Sequence, residues 1–310
     1  MAHQSKWRGL PTEAVNPATR DVDSASIEEI VSLMIQDSAS VIEALRNEQA
    51  RLAEAVQLLV EALSEGGRVI LVGAGTSGRL AVIEAAEMPP TFGVSRQVVQ
   101  AIMAGGHGAV HRAKEGVEDD ERAGAKALAA LHPSVRDVVI GISASGVTPF
   151  VRGALKQAKK ARSRTVGMTC VANSELGALV QPTIALSVGP EIIAGSTRLK
   201  AGTVTKIALN ILTTAAMIRI GKTYGNLMVD VQSNSDKLRD RGRRIVSAIT
   251  GLDDAEAGRL LRRAKGNVKA AIVMQKTGAS LPTALQRLRA SRDSVRAAIA
   301  EGRQPPGRRR

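Results

Sequence analysis

Short apolar runs rich in β-branched residues alternate along the chain with segments whose apolar residues recur at helical spacing. Five of these runs predict buried strands, at about 69–72, 97–104, 137–142, 165–170 and 183–188. Strands that alternate with helices favour a parallel sheet that is covered on both faces. The pattern therefore predicts an α/β fold with a doubly wound, mainly parallel, five-stranded sheet.

Helical periodicity predicts the elements between these strands, at about 26–36, 38–65, 79–87, 109–131 and 150–161, with a long helix that ends near 220. The helix over 79–87 is expected to stop there, because Pro89 and Pro90 lack an amide donor and disfavour helix before them. Beyond about residue 245 the sequence predicts three short helices, with Asp253 or Asp254 as the candidate N-cap.

The same pattern divides the chain into four parts. We predict a polar N-terminal arm over 1–24, an α/β domain with flanking helices over 25–240, a small helical domain over 241–300 and a basic, disordered tail over 301–310. The formal net charge of +14 is concentrated at one end, since residues 237–310 carry 19 Lys and Arg against 6 Asp and Glu.

The basic end of the chain favours a solvated helical surface over a nucleic-acid site. The chain has four aromatic residues, Trp7, Phe92, Phe150 and Tyr224, so stacking platforms for bases are lacking. We expect no nucleic-acid partner.

A single cysteine, Cys170, excludes a disulfide within the chain and fits a reducing cytosol. We interpret it as a core thiol, because nothing near it in the sequence would lower its pKa. The N-terminus has no apolar segment typical of a signal peptide, and no run reaches the roughly 18 apolar residues of a membrane span. We therefore expect a cytoplasmic protein without a membrane partner.

The first predicted strand leads into a glycine-rich segment, 73–78, with the pattern Gly-x-Gly-x-x-Gly. This pattern also occurs in dinucleotide sites, but those need an acidic residue after the second strand, and no Asp or Glu occurs in 88–114. Strand, glycine turn and helix still present free amides to an anion. The adjacent hydroxyls of Thr76 and Ser77 suit a terminal phosphate with several acceptor oxygens.

A second hydroxyl-rich segment, 143–148, follows the third predicted strand. One such segment is as often a simple turn with a helix cap, but two at the same edge of a parallel sheet favour a phosphate cradle. The candidate phosphate-binding residues are Gly75, Thr76, Ser77, Ser143, Ser145, Gly146 and Thr148.

These paired turns resemble the sugar isomerase domain, which binds phosphosugars. Six segments sharpen the resemblance to the N-acetylmuramic acid 6-phosphate etherases, namely 73–80, 87–93, 115–120, 195–203, 225–230 and 234–238. The resemblance runs from about residue 12 to about residue 274. It implies a sugar isomerase fold with a small C-terminal helical module, a homodimer, and cleavage of the lactyl ether to N-acetylglucosamine 6-phosphate and D-lactate in cell-wall sugar recycling.

An ether at C3 is cleaved more easily by elimination than by direct hydrolysis. The open-chain aldehyde acidifies the C2 proton, a base removes it, an acid protonates the departing oxygen, and water then adds. The resemblance implies that Glu87 is the proton donor and Glu118 the second acidic residue. By composition alone, Glu84 with Glu87 and Glu115 with Glu118 would be solvated, charged helix faces. The group that removes the C2 proton is left open.

Arg198 and Lys200 are further candidates, which could bind the phosphate or the lactyl carboxylate or could be surface charges at a helix start. His107 and His111 have helical metal-ligand spacing, but no third ligand matches, so we expect no metal and no cofactor. Members of the family often have Arg at position 147. This chain has Val147 there and so lacks a possible phosphate partner.

Two other functions compete with the etherase. A non-catalytic phosphosugar-binding regulator resembling glucokinase regulatory protein would use related domains, but it has no reason to keep both Glu87 and Glu118. An aldose–ketose isomerase would share the phosphate-binding turns but not the ether-cleaving set.

Overall fold

The structure is a computed structural model that describes Trp7, residues 9–230 and residues 236–301, without the side chains of Lys237 and Glu301. The chain divides into two compact units, one of residues up to 86 with 96–213, the other of 87–95 with the residues from 214 onward. The four-part division predicted above begins its C-terminal helical domain after residue 240, whereas the second unit resumes at residue 214. That division stays a prediction. Its basic tail, except Glu301, lies outside the described residues.

The N-terminal arm of the first unit contains short 3₁₀ turns, at Pro11–Glu13, Pro17–Thr19 and Val22–Ser24. Three helices follow, α1 (Ile27–Asp37), α2 (Ser40–Asn47) and α3 (Gln49–Ser64). The single helix predicted over 38–65 is thus two helices. Glu48, with φ −99° and ψ 11°, departs from helical values and separates them.

The sheet confirms the predicted fold class. Its strands are β1 (Val69–Gly73), β2 (Val99–Met103), β3 (Val138–Ile142), β4 (Arg164–Thr169) and β5 (Thr183–Ala185). All neighbours are parallel, in the order β2-β1-β3-β4-β5. The order reverses direction between β1 and β3, and in such sheets the crevice beyond the carboxyl ends of these two strands is the usual ligand site.

Helices alternate with these strands, namely α4 (Gly75–Phe92), α5 (Gly108–His111), α6 (Glu121–Ala129), α7 (Pro149–Lys160), α8 (Glu175–Leu179) and α9 (Lys200–Arg219). The continuous helix predicted over 109–131 is wrong. Gly116 has φ +74° and interrupts the segment, Val117–Asp119 forms a 3₁₀ turn, and Asp120 caps α6 by accepting from the amide of Ala123.

Helix α4 also contradicts its predicted end, because it continues through Pro89 and Pro90. The φ angle of proline is compatible with helix, so what α4 loses is two amide donors near its C-terminus. The amide of Gly93 donates to Pro89 O at 3.0 Å, and Met88 and Phe92 are buried. Burial of these two side chains accounts for the extra turn.

Helix α9 is long and apolar enough to cross a membrane by length and composition alone. Half of its apolar stretch is buried inside the protein, as is usual for a core helix. Its buried side chains include Val204, Leu209 and Leu212.

The second unit is mainly helical. A short antiparallel pair, β6 (Thr223–Tyr224) and β7 (Leu227–Met228), precedes five helices, which are α10 (Asp236–Thr250), α11 (Asp254–Arg263), α12 (Val268–Thr277), α13 (Leu281–Ala290) and α14 (Val295–Glu301). Four helices follow residue 250 where three were predicted. The predicted cap is confirmed, because Asp253 and Glu256 form a capping box at α11.

A buried carboxylate joins β1 to β3 at the edge where both strands begin. Asp137 is 2% exposed and accepts from the amide of Arg68 at 2.8 Å and from its guanidinium at 2.8 and 3.1 Å. The amide of Ser134 also donates to it, at 2.9 Å. Burial by itself would raise the pKa of Asp137, but the hydrogen bonds from Arg68 and Ser134 outweigh it and hold that pKa below its ordinary value.

This clamp predicts a pH-dependent stability difference. Asp137→Asn should lower the free energy of unfolding by about 2–4 kcal/mol at pH 7, because it leaves the Arg68 guanidinium without its counter-charge. A lowered native pKa gives stability that is complete above the unfolded pKa of about 3.9 and is lost as the pH falls through the native pKa. Urea unfolding of both proteins should therefore show the gap narrowing below about pH 4.

Glu43→Gln is the control, because Glu43 forms an exposed pair with Arg46 and should change stability little at any pH. A gap between Asp137→Asn and the wild type that does not vary with pH would contradict an ionic role for Asp137.

Candidate active site

The first glycine-rich segment is a very tight turn between β1 and α4. A Cβ atom on Gly73 would lie 2.6 Å from the amide nitrogen of Gly78, and one on Gly78 would lie 2.8 Å from Gly73 O. Only glycine permits this approach, so α4 begins directly at the end of β1. The first amides of a helix have no partner within it, and here they belong to Gly75, Thr76 and Ser77.

The second segment is a loop between β3 and α7, built around a buried hydroxyl. Ser143 Oγ lies 2.7 Å from Thr148 Oγ1 and 3.4 Å from Ser145 Oγ, and it accepts from the amide of Gly146 at 3.0 Å. Gly146 has φ +70°, and a Cβ atom there would lie 2.3 Å from Ser174 Cβ. The predicted hydroxyls therefore do come together, on a loop whose shape requires glycine.

Strand register brings the two segments to the same edge. Gly73 at the end of β1 pairs with Ile142 at the end of β3, so 74–78 and 143–148 leave the sheet side by side. All seven residues predicted to bind phosphate lie on these two segments, beside the switch point of the sheet. Val147 is buried on the second segment.

The loop after β2 leaves the same edge and carries Glu118. Arg79 on α4 anchors this loop by donating to the carbonyl oxygens of Ala109 and Val110, both at 3.0 Å. Glu118 is half-buried on the 3₁₀ turn, and its neighbour Val117 packs against the core of the first unit. Because of the break at Gly116, Glu115 does not share a helix face with Glu118, contrary to the prediction.

The two glutamates of α4 have different surroundings, although they are three residues apart. Glu84 is 4% exposed, with Oε2 at 2.8 Å from Lys206 Nζ and Oε1 at 2.5 Å from Thr213 Oγ1. Glu87 is exposed and belongs to the second unit. Glu84 thus ties α4 to α9, whereas Glu87 has its carboxylate open to solvent.

Lys200 and Arg198 also differ. The Lys200 ammonium is buried and donates to Asp37 Oδ1 at 2.7 Å and Pro190 O at 2.9 Å. Its partners hold it within the fold, so the structure does not support its tentative role in binding substrate. Arg198 is exposed, and its role stays a prediction.

Sequence reasoning missed three residues that shape this site. The buried Glu191 accepts from the amides of Lys200 and Ala201 at 3.0 and 2.9 Å and so occupies the N-terminus of α9. The other two are Arg79, which donates to backbone carbonyls of the loop after β2, and Lys206, which pairs with Glu84. No spacing rule links these partners, which are separated by 9 positions for Glu191 and Lys200 and by 122 for Glu84 and Lys206. A single arginine after the glycine turn or a lysine within a helix carries no signal of its contact.

Cys170 is a core thiol, as predicted. Burial, with the nearby charge of Glu191 adding to it, raises the pKa of Cys170 to about 12, so it is not a nucleophile at neutral pH. His107 and His111 are exposed, with ring centroids 5.7 Å apart. Within residues 9–230 and 236–301, no three His, Cys, Asp or Glu residues are grouped so as to hold a metal ion.

A parallel sheet of this order, with hydroxyl-bearing turns beside its switch point, fits a protein of the sugar isomerase class. A family model for the glucokinase regulatory protein N-terminal SIS domain matches residues 51–159. The chain belongs to the N-acetylmuramic acid 6-phosphate etherase family, since it is 48% identical to the etherase of Rippkaea orientalis over 276 residues, which are 89% of this chain and 90% of that protein.

The etherase of Rubrobacter xylanophilus is similar over still more of the chain, with 45% identity over 296 residues, or 96% of this chain and 98% of that protein. A solved structure of a phosphoheptose isomerase from Francisella tularensis is 22% identical, with a TM-score of 0.48, and covers 63% of this chain and 98% of that one. This likeness to the isomerase structure is too distant to bear on function.

The pair of Glu84 and Lys206 should contribute measurably to stability. Lys206→Met leaves a buried carboxylate without its counter-charge and should lower the free energy of unfolding by about 2–4 kcal/mol. Adding Glu84→Gln should recover about 1–3 kcal/mol, because the uncompensated charge is then gone. Urea unfolding of wild type, both single variants and the double variant measures the coupling energy. A coupling energy near zero would contradict the role of this pair.

Proposed function

We propose that this protein cleaves the D-lactyl ether of N-acetylmuramic acid 6-phosphate, giving N-acetylglucosamine 6-phosphate and D-lactate. It acts as a lyase of cell-wall sugar recycling, by elimination of lactate followed by addition of water. Membership of the etherase family over nearly the whole chain supports this reaction. The observation that carries the proposal is the pair of hydroxyl-bearing turns that leave β1 and β3 side by side.

Phosphate binding is assigned to these turns. The free amides of Gly75, Thr76 and Ser77 and the positive end of the α4 dipole attract the phosphate. The hydroxyls of Thr76, Ser77, Ser143, Ser145 and Thr148, with the backbone of Gly146, supply further hydrogen bonds. A phosphate monoester has enough acceptor oxygens for both turns, which supports a phosphosugar over an internal phosphodiester.

The chemistry needs one group to protonate the leaving oxygen and others to move the C2 proton and the added water. Glu87 protonates the lactyl oxygen as it departs and then takes a proton from the water that adds. Glu118 is the second acidic residue of the reaction. The exposure of Glu87 and the half-buried turn that carries Glu118 are compatible with these roles. A carboxylate mechanism of this kind requires no cofactor and no metal.

Arg198 is the remaining candidate for binding the lactyl carboxylate, since its guanidinium is exposed. Lys200 is not assigned to the substrate, because Asp37 and Pro190 engage its ammonium. The buried, apolar Val147 contributes no charge to the phosphate. The amides and hydroxyls of the turns therefore bear most of the phosphate recognition.

A regulator resembling glucokinase regulatory protein is the alternative and is not favoured. The family model for that domain matches residues 51–159, whereas the etherase relatives match 89% and 96% of the chain. A regulator would bind the phosphosugar without releasing lactate.

The protein works in the cytoplasm as a homodimer in this proposal. A single, deeply buried thiol is compatible with a reducing compartment. One face of α1 supports the dimer, because four large apolar side chains at helical spacing are exposed there, namely Ile27, Val31, Met34 and Ile35. An apolar stripe of this kind usually marks a contact surface, and a second copy of the same helix would cover it symmetrically.

Purified protein should release D-lactate from N-acetylmuramic acid 6-phosphate, and Glu87→Gln should lower kcat by about 10²–10⁴-fold with KM changed little. The amide cannot donate a proton to the leaving oxygen but keeps the size of the side chain. Lactate release and solvent deuterium at C2 of the product are the measurements, with Glu54→Gln on α3 as control.

Tight phosphosugar binding without lactate release by the wild type would support the regulator instead. Unchanged turnover of Glu87→Gln would remove Glu87 from the mechanism while leaving the reaction intact.

The dimer is tested by placing charges on the α1 face. Ile27→Glu with Ile35→Glu should convert the dimer to a monomer, because burial of two carboxylates at an apolar contact costs far more than the contact gains. Light scattering after size-exclusion chromatography gives the mass. Val135→Glu, at another exposed apolar position before β3, should leave the dimer unchanged. A wild-type mass of one chain would contradict the dimer itself.

A further inference from the structure

The N-terminal arm is fixed to the segment that precedes α9. Thr12 O accepts from the amide of Gly195 at 3.1 Å, and Thr19 Oγ1 donates to Ile192 O at 3.0 Å. Asn16 Nδ2 donates to Pro190 O at 3.4 Å. Three separate hydrogen bonds thus hold the arm along 190–195, although it lies more than 170 positions away in the chain.

This attachment leaves one carboxylate unused. Glu13 is exposed, and within the part of the chain that the structure describes its side chain makes no hydrogen bond and no ion pair. The carboxylate lies beside Gly195, because a Cβ atom on that glycine would lie 3.0 Å from Glu13 Oε2. Gly195, with φ +77°, makes room for it.

The segment under Glu13 continues to the phosphate-binding turn. The amide of Thr197 donates to Gly195 O at 3.0 Å. A Cβ atom on Gly202 would lie 3.6 Å from Thr197 O and 3.4 Å from Thr76 Cγ2. The chain that follows Gly195 therefore lies against the first turn of α4. Residues 195–202 therefore connect the position of Glu13 to Thr76 in the proposed phosphate site.

A second polar group of the arm is also unused. Thr12 is 4% exposed, and its hydroxyl has no hydrogen-bond partner among the described residues. Leaving a buried hydroxyl unpaired is unfavourable, and such groups usually bind an ordered water or a ligand. Thr12 and Glu13 thus offer two unpaired polar groups on the residues that meet Gly195.

We propose that Glu13 is a substrate-binding residue that accepts a hydrogen bond from an uncharged donor of the phosphosugar, a ring hydroxyl or the acetamide N–H. This inference rests on the proposed function for the identity of the sugar. Both charged groups of that substrate, the phosphate and the lactyl carboxylate, are anions that a carboxylate repels. Glu13 consequently contacts the neutral part of the sugar and orients it, while the turns after β1 and β3 hold the phosphate.

Binding of two ligands to purified full-length protein tests the proposal without catalysis. Glu13→Ala should weaken binding of N-acetylglucosamine 6-phosphate by roughly 10- to 100-fold, the usual effect of losing a hydrogen bond to a charged group. Inorganic phosphate should bind Glu13→Ala as it binds the wild type, because Glu13 does not reach the phosphate. Glu13→Gln keeps an acceptor oxygen, so its affinity for N-acetylglucosamine 6-phosphate should lie between those of the wild type and Glu13→Ala.

Asp23→Ala, an exposed carboxylate on the same arm, is the control and should bind both ligands normally. Wild-type affinity of Glu13→Ala for the sugar phosphate would overturn the proposal, as would an equal loss for both ligands, which indicates a displaced arm. Because the readout is binding, the result stands whether or not the wild type releases lactate. Failure of lactate release alone therefore tests the reaction and not Glu13.

Discussion

The close approach of Gly73 and Gly78 is the constraint on which the rest of the site depends. Any side chain at either position would clash with the opposite backbone, so the end of β1 and the start of α4 could not meet. Their contact aims the free amides of α4 at the crevice between β1 and β3. Strand register then decides what stands beside them, because Gly73 pairs with Ile142 and the hydroxyl loop follows at once. Backbone geometry, more than any one side chain, shapes the proposed phosphate site.

Buried ion pairs hold this geometry from two sides. Asp137 joins the starts of β1 and β3 through Arg68, at the edge opposite the cradle. Glu84 joins α4 to α9 through Lys206. Removing one partner from such a pair is costly, whereas replacing both can be nearly neutral, so their value lies in fixing which elements adjoin. Rigid placement of α4 and α9 matters here because both helices begin beside the same turn.

Much of this fold could be predicted, because its determinants are local. Apolar runs and glycines predicted the five strands, the class of sheet and both hydroxyl-bearing turns. One error arose where tertiary contacts overrode local preference, and another where a local glycine outweighed the helical charge pattern. Burial of Met88 and Phe92 carries α4 past two prolines, and a left-handed Gly116 breaks a segment whose charges fit a helix. Long-range pairs could not be predicted at all, since nothing near Lys200 in the sequence indicates Asp37 as its partner.

Three cationic side chains near the proposed site are already bonded within the protein, and this limits how an anion can be recognised. Arg79 binds backbone carbonyls, while Lys200 and Lys206 are paired with carboxylates inside the first unit. Glu191 occupies the amides at the start of α9, so that helix end is not open to phosphate. In the proposed phosphate site, recognition then rests on the amides of α4 and on hydroxyls, whose neutral dipoles bind a phosphate with fixed geometry. Such a site distinguishes ligands by the shape and number of their acceptor oxygens rather than by their total charge, which suits an enzyme whose substrate carries a second anion elsewhere.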